Sequence, residues 1–285
     1  MSWSQANLPL SKEDFCSLIR KKGEELYRDL PWRNTRDAYE ILVSEVMLQQ
    51  TQVARVLTRW ERFLHRFPTV DALASASTSD IVDEWQGMGY NRRALALKRC
   101  ADTCAANYDG CIPRQLDALL ALPGIGPATA AGVRAFAYNE PGLYLETNVR
   151  TVFLHELFPD EEGVSDKVIA PLVQESCPQQ NVRSWYYALL DYGAHLKATV
   201  SNPSRRSKEY NRQSKFEGSR RQKRAEIVRL VLACPGVSVQ EVLDGLNAFE
   251  AAAGRDAVDS EYFKGLLFDL QKEGFFTLEE DRLIP

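Results

Sequence analysis

The stretch Leu122–Val133, LPGIGPATAAGV, decides how the chain is read. Pro123, Gly124 and Gly126 make a tight turn, and the alanine-rich run behind them has helical composition. A glycine turn at the start of a helix leaves backbone N–H groups facing outward, where they can hold an anion. The preceding segment QLDALLAL, residues 115–122, is a second short helix, so the order is helix, hairpin, helix. Such a unit grips a nucleic-acid phosphate without reading sequence. The plainer alternative is an ordinary helix connection.

Outward from the hairpin, most long segments have helical periodicity and strand alternation is scarce. Ser11 with Asp14 marks the start of a helix running to about Tyr27. RDAYEILVSEVMLQQTQVARVLTRWERFLHRF reads as one or two helices, and NRRALALKRCADTCAANY as another. Beyond the hairpin, VRTVFLHELF, KVIAPLVQESC and RSWYYALLDYGAHLK continue the pattern. The last part differs. RAEIVRLVLAC, SVQEVLDGL and DSEYFKGLLFDLQKEG predict three helices, and FFTLEEDRLIP a short hairpin turning at Glu279 to Asp281, which together suggest a winged-helix-like unit. Its third helix carries Asp259, Glu261 and Asp269 against Lys264 and Lys272, more acid than a groove-reading helix should have. Partner docking is therefore favoured over direct reading of DNA.

The 285 residues are 45% hydrophobic and 26% charged, enough for about two domains with sizeable cores. No apolar run approaches ~18 residues, so no membrane span is expected. The first residues lack the positive-then-apolar order of a secretory leader. Six cysteines are scattered without a CxxC pair. Cys100, Cys104 and Cys111 alone cluster, but no histidine or fourth cysteine completes a metal set, so buried reduced thiols and a cytoplasmic location are expected. Net charge is −4, yet Arg205 to Arg224, RRSKEYNRQSKFEGSRRQKR, is densely basic with Tyr210 and Phe216 interleaved. The run is a solvated linker or a phosphate-contacting loop.

Two carboxylates stand out. On a helix, Glu45 shares a face with Ile41, Leu42 and Leu48. Burial there would raise its pKa and suit a general acid near neutral pH. A core ion pair with an arginine explains the same pattern. Glu146, in LYLETNVRTV, precedes a helix at Asn148 and is either a second catalytic carboxylate or a helix cap.

LPWR (residues 30–33), SEVMLQQTQV (44–53), GMGY (87–90), LPGIGPATA (122–130) and ETNVRTV (146–152) together resemble the helix–hairpin–helix DNA glycosylases, most of all the MutY type of adenine glycosylase. The resemblance runs from about residue 12 to residue 197. It implies an all-α, two-lobed fold that holds double-stranded DNA and a flipped base between the lobes, with the small winged-helix-like unit appended. The lobes expected are residues 1–33 with 142–218, and residues 34–141 with the hairpin, followed by a C-terminal domain at 219–285. Glu45 matches the acid that protonates a ring nitrogen of adenine. Gln50, with Leu48 in the same turn, matches the residue inserted into the duplex, and Tyr90 the wedge beside the opposite base. Trp32 and Arg33 match pocket and strand contacts. Gly124 and Gly126 match the phosphate clamp, where the family usually holds a monovalent cation. Arg150 stands where the family has a lysine close to the abasic product.

The chain departs from the pattern at four places. Glu146 replaces the aspartate that steadies the sugar cation, and the small Ala128 nearby in the motif leaves room for the longer acid. Ala128 also removes the lysine that makes relatives cut the strand, so the expected enzyme is monofunctional. Lys197 stands at the first position of the family's four-cysteine iron–sulfur motif, and no cysteine follows before Cys234. No cluster is expected, and Arg205, Arg206 and Lys208 would grip phosphate in its place. Finally, the tail is shorter than the domain that reads oxidised guanine in these relatives, which leaves that task to Gln50 and Tyr90. The function expected is base excision repair by a monomer that removes adenine mispaired with 8-oxoguanine or guanine. The alternatives are a glycosylase for mismatched thymine or uracil or an alkylated purine, and a non-catalytic DNA-binding protein.

Overall fold

The computed structural model describes residue 3, residues 8–212 and residues 214–285. Most of the N-terminal stretch examined for a leader, and position 213 of the basic run, lie outside the described residues. The chain divides into two compact units, each built from two separate segments: Met1–Val46 with Ile112–Arg212, and Met47–Cys111 with Gln213–Pro285.

The first unit contains α1 (Lys12–Leu26) and most of α2 (Ala38–Leu48). The second begins with α3 (Val53–Arg66), α4 (Val70–Ser75), α5 (Thr78–Glu84) and α6 (Arg92–Asn107). The chain then returns to the first for α7 (Leu116–Ala121), α8 (Pro127–Tyr138), α9 (Thr147–Leu157), α10 (Asp166–Ser176) and α11 (Val182–Thr199). It ends in the second with α12 (Arg220–Ala233), β1 (Val237–Ser238), α13 (Val239–Ala252), α14 (Ser260–Glu273), β2 (Thr277–Glu279) and β3 (Arg282–Ile284).

Local chemistry explains the boundaries. Ser11 caps α1 through its hydroxyl, which accepts from the Asp14 amide at 3.1 Å. The long segment from Arg36 to Phe67 is two helices, broken where Gln50 adopts a left-handed φ of 54°. Thr69 and Ser77 cap α4 and α5, two short helices that periodicity does not reveal. Ser238 and Glu241 form a reciprocal capping box on α13. The final hairpin turns through Glu280 and Asp281, both left-handed, and β1 adds to its far side in the antiparallel order β1-β3-β2.

In the first unit, α1, α8, α9, α10 and α11 surround a core rich in aromatics. Phe15 meets Phe153 at 4.8 Å between ring centroids, and Phe136 stacks on Tyr187 at 4.6 Å. In the second, Phe263, Leu266 and Leu270 of α14 pack with Ile227, Val228 and Val231 of α12. Val82 of α5 and Leu95 of α6 belong to the same core.

This division differs from the one expected. The hairpin segment falls with the first unit, and the core of residues 219–285, built mainly from those residues themselves, also takes in Val82 of α5 and Leu95 of α6. The cysteines also differ in part: Cys100, Cys104 and Cys177 are buried, whereas Cys111 and Cys234 are exposed.

Candidate active site

Glu45 lies on the inner face of α2, in the first unit. The Tyr144 hydroxyl donates to its Oε2 at 3.1 Å. Tyr144 is itself fixed: its amide donates to the Tyr186 hydroxyl at 3.3 Å, and Tyr186 donates to the Gly142 carbonyl. Gly132 of α8 faces the carboxyl group so closely that any Cβ there would overlap Oε2. Glu45 thus retains only partial exposure and has no cationic neighbour among its charge partners. Burial pushes its pKa up to about 8, the Tyr144 hydrogen bond pulls the other way, and the charge of Glu146 adds to the rise. The core arginine pair considered from sequence is not what surrounds it.

Glu146 is the N-cap of α9, as one of its two readings expected. Its Oε1 accepts from the amides of Asn148 at 2.6 Å and Val149 at 3.0 Å. Its Oε2 takes only a long contact from Asn148 Nδ2, 3.4 Å away, and is the less engaged oxygen. Burial raises the Glu146 pKa above the usual glutamate value, while the two amides, Lys197 and Arg150 hold it down. The added methylene relative to aspartate does not prevent capping.

Lys197 is the neighbour that sequence reasoning did not assign. On α11, Gly193 has no side chain because the Asn148 carbonyl occupies that space. Lys197 lies one turn further along the same helix face. Burial lowers its pKa, and Glu146 opposes that shift. Among the described residues, Lys197 makes no hydrogen bond or ion pair within bonding distance.

Several expected DNA contacts are engaged within the protein. Arg33 is buried and pairs through both terminal nitrogens with Asp191, at 2.7 and 2.8 Å, while lying 4.2 Å from the Tyr187 ring centroid. It is a core ion pair, not a strand contact. Trp32 beside it is also buried. Arg150 forms two 2.6 Å bonds with Asp166. Arg206 donates to the carbonyls of Leu154, Phe158 and Pro159, closing the C-terminal end of α9. Its place in a phosphate grip is therefore corrected to a structural one; Arg205 and Lys208 remain exposed.

In the hairpin, Gly124 is left-handed at φ 77° and Gly126 caps α8, with Pro127 as the first helical residue. Ala128 follows in the first turn of α8 and is partly exposed. In the second unit, the loop after α2 presents Leu48 and the exposed Gln50. Tyr90 ends the glycine turn with a left-handed φ of 50°. Arg93 ties these two loops together. It donates to Met47 O at 3.0 Å and Gln49 O at 2.6 Å on one side, and to Gly89 O at 3.0 Å on the other. Its sequence position inside a basic helix gave no hint of this.

The residues present do not fit an iron–sulfur cubane, which needs four thiolates. Position 197 is lysine, and the next cysteine is Cys234. The segment that follows α11 is held by protein groups. Asn202 caps the 3-10 turn Pro203–Arg206, Ser207 bridges to Val164, and the Glu209 carboxylate accepts from the Asp166 amide at 3.2 Å.

The hairpin between α7 and α8 thus lies in the same unit as the two carboxylates, Glu45 and Glu146. Residues 43–179 match the family described as HhH-GPD superfamily base excision DNA repair protein. The adenine DNA glycosylase of Mycolicibacterium smegmatis is 48% identical over 126 residues, 44% of this chain and 43% of that one. The adenine DNA glycosylase of Buchnera aphidicola (subspecies Baizongia pistaciae) is 30% identical over 62% of this chain and 50% of its own. The chain thus spans half or less of these relatives' length. Among solved structures, a thermostable thymine-DNA glycosylase superposes with a TM-score of 0.60 at 26% identity, covering 67% of this chain and 90% of that one.

Proposed function

We propose that this chain is a monofunctional DNA glycosylase that removes adenine mispaired with guanine or 8-oxoguanine. The observation that carries the reading is the carboxyl pair: Glu45 is packed against Gly132 and bonded by the Tyr144 hydroxyl, burial there pushes its pKa up to about 8, and the charge of Glu146 adds to the rise. At neutral pH Glu45 holds a proton that it can donate to a ring nitrogen of the flipped base. The base then leaves with the electrons of the N-glycosidic bond, and an oxocarbenium-like sugar cation remains. Glu146, its Oε1 fixed by two amides, offers Oε2 to that cation and then accepts a proton from the attacking water. Lys197 favours the ionised form of Glu146 that this role requires. The helix N-terminus behind Gly126 binds a backbone phosphate. The hairpin around Gly124 and Gly126 would be the place for a monovalent cation. No step depends on that ion.

The similarity to adenine glycosylases supports adenine as the target, and the similarity to a thymine glycosylase makes mismatched thymine the second reading. Duplexes carrying one mismatch or lesion each, incubated with the chain and treated with hot alkali, decide between them. Strand scission after alkali at adenine opposite guanine or 8-oxoguanine is expected. Scission only at thymine would transfer the reading to the second target, and none at any base would refute a glycosylase.

A further inference from the structure

Tyr90 has an unusual backbone and an unusual neighbour. It follows Gly87 and Gly89, both left-handed, and is left-handed itself. A non-glycine residue in that region costs about 1–2 kcal/mol and persists where its surroundings determine it. Trp85 Nε1 and Arg93 both donate to the Gly89 carbonyl, which fixes the backbone of the turn. The side chain is held by a residue from the far end of the sequence. Arg221 Nη1 donates to the Tyr90 hydroxyl at 2.5 Å, and its guanidinium lies 5.2 Å from the ring centroid. Arg221 Nη2 donates to the Ser214 carbonyl at 2.7 Å, and the same guanidinium lies 6.0 Å from the ring of Phe216.

Arg221 stands in the first turn of α12, whose Ile227, Val228 and Val231 share a core with Val82 and Leu95. The C-terminal helices therefore deliver the guanidinium from a packed scaffold and not from a loose linker. Around it are the half-exposed ring of Phe216 and the exposed ammonium of Lys215. Interleaved aromatic rings and cations of this kind suit unpaired bases and phosphates.

We propose that Arg221 is a positioning residue: by fixing the Tyr90 ring it makes the C-terminal helices part of the device that selects the base opposite the one excised. This rests on the glycosylase reading above. Without Arg221 the ring loses its hydrogen bond to that guanidinium and one cationic neighbour, Arg93 at 5.5 Å from the centroid remaining, and the less constrained ring discriminates the opposite base less well.

The test uses the full chain and Arg221→Ala, Arg221→Lys and Tyr90→Phe variants. Single-turnover excision is followed against enzyme concentration, with the target base placed opposite 8-oxoguanine, guanine or cytosine. Arg221→Ala is expected to lower the preference for the best opposite base over the worst by about tenfold, within the coupling range of contacting pairs. The change should appear in the half-saturating concentration, with the saturating rate on the best duplex altered by less than about threefold. Arg221→Lys should not restore the preference, because an ammonium lacks the planar fork that bonds the hydroxyl and Ser214 together. Tyr90→Phe removes the hydroxyl and keeps the ring, so it should reproduce part of the loss, and the Arg221→Ala/Tyr90→Phe double variant should be no worse than Arg221→Ala. An unchanged preference, or equal weakening with every opposite base, would overturn the proposal. If Arg221→Ala melts early, Tyr90→Phe decides alone. A wild-type chain that excises nothing removes the glycosylase reading and this inference with it; excision with unaltered preference removes only the inference.

Discussion

Glu45 and Glu146 must be in opposite protonation states for the proposed chemistry, and their surroundings push them that way. Glu45 keeps its proton because burial and Glu146 both disfavour its charge; with a pKa of about 8 it is mostly protonated at pH 7. Excision should therefore hold through neutral pH and fall as pH rises through about 8. A single-turnover pH profile measures this, and Glu45→Gln should be slower by roughly 10²–10⁴ and lack the upper limb. An upper limb that survives in Glu45→Gln would assign the acid to another group. Lys197 governs the opposite limb. Its charge lowers the Glu146 pKa, so Lys197→Met should move the lower limb to higher pH, whereas Lys197→Arg should leave it near the wild-type position. Unmoved limbs in Lys197→Met would make the lysine a bystander. The apolar face around Glu45 was legible in the sequence, because a carboxylate among Ile41, Leu42 and Leu48 is costly unless protonated or paired. Its hydroxyl partner was not, since Tyr144 lies 99 positions away. Lys197 was visible only as the replacement for a cysteine. Its role depends on the close approach of Gly193 to Asn148, which is tertiary.

At the level of elements, the helices read from the sequence are present: the long ones show a buried face, and the six-residue α7 was placed by the glycine turn that follows it. α4 and α5 were missed because six or seven residues give too few turns for a period; their caps Thr69 and Ser77 were the available signal. The segment after α11 shows the converse. Its basic residues were legible as charge but not as structure, and Arg206 bonds carbonyls at the end of α9 instead of facing outward. Hydrogen bonds from a charged donor are worth roughly 1.5–3 kcal/mol. Arg206→Met should therefore lower the melting temperature measurably and leave the salt dependence of DNA binding unchanged. The segment is held by protein groups, so the purified chain should be colourless and free of iron, and chelators should not alter its melting. Stoichiometric iron with visible absorption, or a drop in salt dependence without loss of stability in Arg206→Met, would contradict this account.

On the scale of the whole molecule, the core of the C-terminal helices is formed mainly by those helices, with Val82 and Leu95 of α5 and α6 added to it. Apolar positions in α12 and α14 predicted a core correctly, but nothing in the spacing distinguishes residues that close on their own unit from residues that receive Val82 and Leu95. Glu250 offers a way to ask whether this unit unfolds as one. It is almost fully buried on α13, pairs with Arg255 at 2.8 and 2.9 Å, and pairs with Lys223 of α12 at 2.7 Å. Arg255, then Lys223, hold its carboxyl at about 2 against the cost of burial. The folded pKa lies below the unfolded value of about 4.3, so the stabilisation is present above that value and is lost as pH falls towards 2. Glu250→Gln leaves two cations facing a neutral partner and should cost about 3 kcal/mol at pH 7. The gap between wild type and variant should shrink below about pH 4. If the C-terminal helices are integral to the second unit, native-state hydrogen exchange should show α5 and α6 losing protection in step with α12, α13 and α14 in the variant. Early exchange confined to the C-terminal helices, with α5 and α6 still protected, would instead mark residues 219–285 as a domain that opens alone.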